Sequence, residues 1–289
     1  MYIVGGGVVF IFNDDSLTYD ENKYCQHIIE EMSDVPWVQS LLKKIIDLKY
    51  PRNSKVLKSA LFELEIAYEF FKTHCELEHE YHTGIGLNDV DFRYISGKVN
   101  CLIEAVSTKV SEEFKEATIF NEIEHGVTKF ETMLGGDQKV SLGHEMIKVQ
   151  GKILEKVCNK EGKPVKFPIP QQQDLHVVAV DIRNFDGDKW DYLQIAYGPR
   201  IVPDYCRLTY FQKFIKGIFE GGNDHVQARV FRERVHIIAF CNLKTFDSPL
   251  FGEQNCYLCW NPWLFEDVNL IKETIANVPA FCNYPSERL

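Results

Sequence analysis

The sequence predicts an α/β protein in which helices flank a mixed β-sheet, and two observations lead to this prediction. The first is the order helix–strand–strand–strand–helix–strand over residues 54–182. The second is HVVAVDI at 176–182, a continuous apolar run that is typical of a buried strand. We predict an α/β core at 54–185, a strand and helix extension at 1–53, and an α/β extension or small cap at 186–289.

The individual elements follow from apolar periodicity and from turn residues. The apolar segment at the N-terminus, interrupted by three glycines, predicts a strand pair. Predicted helices lie near 22–32, 36–48, 54–73, 111–133, 141–159, 208–219 and 265–276, and predicted strands near 76–82, 90–95, 99–107, 176–182, 234–241 and 255–260. Residues 159–173, NKEGKPVKFPIPQQQ, are rich in proline and predict a loop.

Composition limits the classes of function. The 289 residues are 45% hydrophobic and carry a formal net charge of −10, so a large core is expected and binding of a polyanion over the whole surface is not. A local basic groove remains compatible with this charge. The apolar N-terminal segment is too short to span a bilayer, so we predict no membrane association.

Cysteine usage favours a reducing compartment. The nine cysteines are odd in number, and several lie within apolar runs, which predicts reduced, buried thiols in a cytoplasmic protein. Cys256 and Cys259 form an isolated C-x-x-C pair, and two further zinc ligands at suitable spacing are missing. We therefore interpret this pair as part of a core strand.

The helix predicted at 54–73 carries a carboxylate on its apolar side. At about 100° per residue, Glu63 shares a line with Val56 and Phe70, whereas Glu65 shares a line with lysines and is expected to face solvent. A carboxylate turned towards a core is costly unless it is paired or binds a metal. The alternative is that Glu63 lies at the rim of the apolar stripe, hydrogen-bonded to the backbone.

A predicted hairpin brings two further acids together. If the turn falls at 97–98, Asp91 lies directly opposite Glu104, and if it falls at 96–97 the two are diagonal neighbours. In both registers the carboxylates share one face, where they repel each other unless a cation such as Mg²⁺ lies between them. A register slip would place them on opposite faces.

Three segments carry a resemblance to a known family. ALFELEIAYEFF, DVDFRY and CLIEAV resemble the core of the PD-(D/E)XK nuclease superfamily, which includes Holliday-junction resolvases and restriction-type endonucleases. The resemblance covers about 54–182 and implies a restriction-endonuclease-like fold with a nuclease-like core. It also implies a Mg²⁺ or Mn²⁺ site formed by Glu63, Asp91, Glu104 and the carbonyl of Ala105, with DNA as the partner.

The sequence departs from the family pattern at one position. The resemblance places a catalytic lysine two residues after Glu104, where this chain has Val106. We expect a substitute either in Lys109, which lies just beyond the strand and whose long stem could fold back, or in Gln150 or Lys152 on the helix predicted at 141–159. Loss of such a group typically removes about 10²–10⁴-fold of the rate.

A second basic feature lies on the helix predicted at 141–159. Lys148, Lys152 and Lys156 recur every four residues and form a line about 12 Å long, which could follow the phosphates of a nucleic acid. The alternative is a solvated face on which Glu145 and Glu155 balance the lysines.

Two hypotheses about function follow. The first is a Mg²⁺-dependent DNA nuclease, weak or inactive because of Val106. The second is a degenerate nuclease fold that binds nucleic acid or a protein partner without catalysis. An unrelated α/β protein remains a third alternative, and a homodimer is left open.

Overall fold

The computed structural model describes residues 2–4, 7–9, 17–47, 54–116, 118–123, 127–132, 140–185, 187–265, 267–282 and 284. The helices are α1 Tyr19–Met32, α2 Gln39–Asp47, α3 Ser54–Lys72, α4 Glu112–Glu116, α5 Leu142–Glu155, α6 Lys189–Tyr197, α7 Val226–Arg232 and α8 Val268–Ala276. The strands are β1 Tyr2–Val4, β2 Gly7–Val9, β3 Glu78–Tyr81, β4 Val90–Ile95, β5 Asn100–Ser107, β6 Thr118–Ile123, β7 Val127–Thr132, β8 Asp174–Asp181, β9 Thr209–Tyr210, β10 Lys213–Phe214, β11 Ile237–Cys241 and β12 Cys256–Trp260.

Six of the strands form one mixed sheet in the order β12-β11-β8-β5-β4-β3. The three central strands β5, β8 and β11 run parallel to one another, while β3, β4 and β12 pair antiparallel with their neighbours. The predicted α/β class, with helices flanking a mixed sheet, is confirmed. The strands β11 and β12, which follow residue 186, extend this same sheet.

The sheet separates two apolar layers. Along β5, Cys101, Ile103 and Ala105 contribute to the layer that also contains buried side chains of α1, α2 and α3. Leu102 and Val106 point the other way, into the layer that contains buried side chains of α5, α6 and α7. Since side chains alternate along a strand, Glu104 belongs to this second layer, on the side of α5.

Residues 60–70 of the helix α3 are all buried, because this helix packs against α1, α2 and β5. Glu63 is buried, in agreement with its predicted inward direction. The expectation that Glu65 faces solvent is wrong, because this residue is 1% exposed. Periodicity gives the direction of a side chain on its own helix, but not which other helices cover that direction.

Two predicted helices are replaced by hairpins. In place of a helix at 111–133, the chain forms the short α4 and the antiparallel pair β6 and β7. In place of a helix at 208–219, it forms β9 and β10. The first segment contains three threonines and three phenylalanines, and the second contains one threonine and four aromatic residues. Such residues favour strands over helices, in agreement with the outcome.

The remaining expectations agree more closely with the structure. The N-terminal strand pair is present as β1 and β2, and residues 159–173 contain no helix or named strand. Cys256 and Cys259 lie buried in β12, as expected for a core strand. None of the described helices combines the length and apolar character needed to cross a membrane.

Candidate functional site

Asp91 and Glu104 lie side by side on adjacent strands. The ladder between β4 and β5 pairs Phe92 with Ile103, and one further step places Asp91 opposite Glu104. The side chain of Asp91 turns towards β5, where its Oδ2 accepts a hydrogen bond of 2.7 Å from the Ala105 N–H. The ladder therefore has the directly opposed register, and Asp91 lies close enough to Glu104 to be affected by its charge.

Two lysines converge on Glu104. The ammonium groups of Lys156 and Lys166 each lie 2.6 Å from Glu104 Oε1, while the side chain of Glu104 is fully buried. The second carboxylate oxygen, Oε2, is also buried and has no hydrogen-bond partner. One oxygen thus receives two cations, and the other is left available to a further ligand or water.

Lys156 reaches the site from the end of α5. It is the C-cap residue of this helix, whose buried side chains Met146, Val149 and Ile153 pack in the same layer as Val106. This packing places the last turn of α5 over β5. Burial opposes the charge on Lys156, but the negative charges of Glu104 and Asp91 outweigh it and raise the pKa of this lysine.

Lys166 comes from the predicted loop, which several contacts hold in place. The Val165 N–H donates to the Val157 carbonyl at 2.9 Å, and the Thr83 hydroxyl donates to the carbonyl of Lys166. Gly86, with φ of 68°, lies so close that an added Cβ would be 2.8 Å from the Val165 carbonyl oxygen. Because these contacts fix the backbone on both sides of Lys166, its ammonium is directed at Glu104.

The surroundings of Asp91 disfavour its ionised form. Burial and the negative charges of Glu104 and Glu63 raise its pKa from 3.8 to about 7, although Lys156 and Lys166 act in the opposite direction. A carboxyl group with such a pKa is only partly ionised at neutral pH. A cation bound beside Asp91 would favour the ionised form.

Glu63 has its own cationic partner on the other side of the sheet. Lys44 Nζ donates to Glu63 Oε2 at 2.9 Å, and His79 Nε2 lies 3.9 Å from the same oxygen. The other nitrogen of His79 is 2.8 Å from Ser40 Oγ. Burial opposes ionisation of Glu63, but the neighbouring His79 and Lys44 hold its pKa below the usual value.

The lysines that contact Glu104 are Lys156 and Lys166, whereas Lys109 and Lys152 were expected to replace the lysine missing at Val106. Lys109 pairs with Glu112 at 2.6 Å, just beyond the end of β5. Lys152 is half-buried on α5, one turn before Lys156. Val106 itself is a buried core residue of the apolar layer.

The line of three lysines on α5 is divided between two acids. Lys148 lies 2.9 Å from the buried Glu145, one of the acids expected to balance this face, and Lys156 contacts Glu104. Glu145 also accepts hydrogen bonds from the backbone and hydroxyl of Ser111. The line is therefore partly neutralised, and its ability to follow phosphates stays a prediction.

The acids fit a divalent cation in part. Glu104 Oε2 has no hydrogen-bond partner, Asp91 beside it has a raised pKa, and carboxylate oxygens are ligands of the kind that Mg²⁺ prefers. Within the described ranges, however, no group of three or more His, Cys, Asp or Glu side chains is arranged to hold a metal ion. Asp91 and Glu104 are thus the residues best placed to bind one, with Glu63 engaged by Lys44. The Ala105 group that contacts this site is its N–H, and the role predicted for its carbonyl stays a prediction.

A second charged cluster lies on the opposite face, at the end of β8. Arg183 donates to Asp181 through Nε and Nη2 and to Glu65 Oε1 through Nη1, at 2.8 to 2.9 Å. Burial raises the pKa of Glu65 to about 7, despite the nearby Arg183. The only hint of this cluster in the sequence is the Asp181-x-Arg183 spacing after an apolar strand.

Comparison of the chain with known protein families, with curated proteins and with solved structures found no match in any of the three. The site is therefore interpreted from its own geometry.

Proposed function

We propose that this protein is a Mg²⁺- or Mn²⁺-dependent nuclease that hydrolyses phosphodiester bonds in DNA, with Asp91 and Glu104 at its centre. The observation that carries the proposal is the convergence of Lys156 and Lys166 on Glu104, beside Asp91. Two acids and a lysine are the groups that the PD-(D/E)XK resemblance implies. The lysines arrive from α5 and from the 159–173 loop, which offers a substitute for the one absent at Val106.

In this proposal Asp91 and Glu104 are the protein ligands of the cation, and Glu104 uses the oxygen that the lysines leave free. Glu63 and the Ala105 carbonyl remain further candidate ligands. When bound, the divalent ion would lower the pKa of a water molecule and offset the charge that develops on the phosphate. In the proposed reaction the attacking water gives up a proton to solvent as its oxygen forms a bond to phosphorus. The bond between phosphorus and the leaving deoxyribose oxygen breaks, and that oxygen takes up a proton from solvent.

The lysines act as fixed cations in this proposal. A group whose pKa is raised stays protonated at neutral pH, so Lys156 can donate hydrogen bonds to phosphate oxygens but cannot accept the proton of water. The side chain of Lys156 is 35% exposed, so part of it remains accessible to a substrate. The side chain of Lys166, at 13% exposure, lies deeper and contacts the same oxygen of Glu104.

A second candidate function is binding of nucleic acid without cleavage. The observation that favours it is that Glu104 is already neutralised by two lysines and Glu63 by Lys44. Such a site would keep the fold of a nuclease while its acids serve stability.

Cleavage of supercoiled plasmid and of branched DNA with Mg²⁺ or Mn²⁺ tests the proposal. We expect cutting by the wild type, its loss in Asp91→Asn, and a decrease of about 10²-fold or more in Lys156→Met, as for loss of a group that stabilises the transition state. Lys72→Met is the matched control, because Lys72 is equally exposed and also lies 2.6 Å from a buried glutamate, Glu69.

Cutting that persists in Asp91→Asn would come from a contaminant or from another site, and would overturn the proposal. DNA binding by a wild type that never cuts, under all metal conditions, would favour the second candidate. Folding of each variant is checked by its thermal unfolding curve, so that loss of activity is not confused with loss of structure.

A further inference from the structure

The hairpin of β9 and β10 displays aromatic side chains to solvent. Phe211 and Phe214 are 58% and 53% exposed, and Tyr205, just before the hairpin, is 87% exposed. Single exposed apolar residues are common, but three aromatic rings on one short segment form a patch of the kind that marks a binding surface. Neither the proposed metal ligands nor the apolar layers account for it.

The turn of this hairpin has positive φ at two residues, neither of which is glycine or asparagine. Lys213 pairs with Tyr210, so Phe211 and Gln212 form a two-residue loop with φ of 48° and 60°. Such loops favour asparagine and glycine, because positive φ brings a bulky side chain against the backbone. A phenylalanine kept at this position, with its ring in solvent, points to a use for the ring.

The same segment is basic in an acidic chain. Residues 200–216 contain four Arg or Lys residues and one Asp, whereas the whole chain has a formal charge of −10. Arg207 pairs with Asp204, while Arg200, Lys213 and Lys216 are exposed. Exposed rings combined with exposed cations are the features by which proteins bind single-stranded nucleic acid: bases stack on the rings and phosphates meet the cations.

The hairpin is anchored to the helix that reaches Glu104. Its Tyr210 hydroxyl lies 3.1 Å from His144 Nδ1, and an added Cβ on Gly143 would clash with the Thr209 carbonyl oxygen. Thirteen residues of α5 and its cap separate Gly143 from Lys156, about 20 Å along the helix axis. That distance corresponds to about six stacked nucleotides at 3.4 Å each.

We propose that the β9–β10 hairpin binds unpaired bases of a nucleic acid by stacking on Phe211 and Phe214, at the far end of α5 from Glu104. The inference deepens the proposed function, on which it rests, by naming the substrate class: a strand with unpaired bases. The exposed cations contact the phosphates of that strand.

Fluorescence anisotropy with a labelled single-stranded DNA of about 20 nucleotides, in EDTA, measures this binding without cleavage. Phe211→Asn removes the ring and introduces a residue that tolerates positive φ, so we expect the variant to unfold at the same temperature as the wild type or higher. Its affinity is expected to fall about 5-fold or more, since stacking on one aromatic side chain is lost. Phe211→Tyr keeps a ring and should keep the affinity.

Tyr19→Asn is the control, because Tyr19 is an aromatic residue of 81% exposure on α1, away from the hairpin segment in sequence. A fully paired duplex of the same length is the second control and should bind less tightly. Equal affinity of wild type and Phe211→Asn, no binding by the wild type, or no preference for the single strand would overturn the inference. A wild-type dimer that Phe211→Asn dissociates in sedimentation would assign the patch to a second copy of the chain instead.

The outcome of the single-strand binding assay can be distinguished from that of the cleavage assay. Single-strand binding that depends on Phe211 in a protein that never cuts would sink the nuclease proposal and leave this inference standing. Cleavage that depends on Asp91 but not on Phe211, together with unchanged binding, would do the reverse.

Discussion

Lys166 Nζ lies 2.6 Å from Glu104 Oε1, although 62 positions of sequence separate the two residues. Lys156 meets the same oxygen from another element, at the same distance. Two ammonium groups thereby offset the negative charge of one fully buried carboxylate. This double contact leads to the first of four predictions.

Removal of both lysines is expected to destabilise the protein more than the sum of the two single changes. Lys156→Met or Lys166→Met alone leaves Glu104 with one cation and should cost about 1 kcal/mol each. The double variant leaves a buried charge uncompensated and should cost about 3–5 kcal/mol. Urea unfolding of the four proteins gives the coupling energy, with Lys72→Met as control. Strictly additive losses would show that the two lysines do not share one charge.

Asp91→Asn is expected to stabilise the metal-free protein at neutral and alkaline pH. Asp91 has a folded-state pKa raised from 3.8 to about 7, so its contribution to stability is fully present below about pH 4 and is lost as pH rises towards 7. Asparagine keeps the acceptor for the Ala105 N–H and removes the repulsion from Glu104. The gain should be up to about 4 kcal/mol at pH 8, the value of a shift of about three pKa units, and should vanish near pH 4. Unfolding in EDTA at both pH values measures it, and a variant less stable than wild type at pH 8 would contradict it.

A divalent ion is expected to make the wild type more stable than Asp91→Asn. If Asp91 and Glu104 bind Mg²⁺ or Mn²⁺, the ion stabilises the folded state in proportion to its occupancy, by about 2.7 kcal/mol at one hundred times the dissociation constant. Wild type should therefore unfold at higher temperature in millimolar Mn²⁺, whereas Asp91→Asn should not respond. Ca²⁺ and Na⁺ serve as controls for size and ionic strength. Identical curves with and without each divalent ion would remove the metal site from the proposal.

Two buried histidines are expected to make the fold sensitive to mild acid. Burial lowers the pKa of His176 from 6.5 to about 4 and, together with the charge of His176, that of His236 to about 3. In the window from pH 6.5 to about 4 the unfolded chain therefore binds more protons, so stability is present above pH 6.5 and is lost as pH falls.

His236→Asn tests this pH dependence, because its oxygen can still accept the His176 N–H that now donates to His236 Nδ1 at 3.0 Å. The variant should be less stable at pH 7, where it loses its ring contact with Phe265, but its stability should change less between pH 7 and 5. Unfolding in urea at the two pH values gives the difference, and a slope equal to that of wild type would exclude His236 as a contributor.

The sequence by itself determined the class of the fold and the pairing of two acids. The apolar run at β8 and the stripe on α3 require burial, and with a turn at 96–97 or 97–98 period-two alternation predicts that Asp91 and Glu104 share a face. These features depend on residues that are neighbours in the chain or across one short turn. The hairpins β6–β7 and β9–β10 were also predictable in principle, since β-branched and aromatic residues favour strands there.

Only the tertiary structure determines which lysine side chains contact those acids and which helix faces are buried. Lys166 reaches Glu104 because Thr83, Val157 and Gly86 fix a loop that has no periodicity of its own. Glu65 is buried because α1 lies over a face of α3 that its own helical pattern assigns to solvent. Charge interactions act through space over a few ångströms and carry no record in sequence spacing, whereas burial patterns repeat with the period of the backbone. The periodic part of this protein can therefore be predicted from its sequence, whereas its ion pairs between residues distant in the chain require the fold.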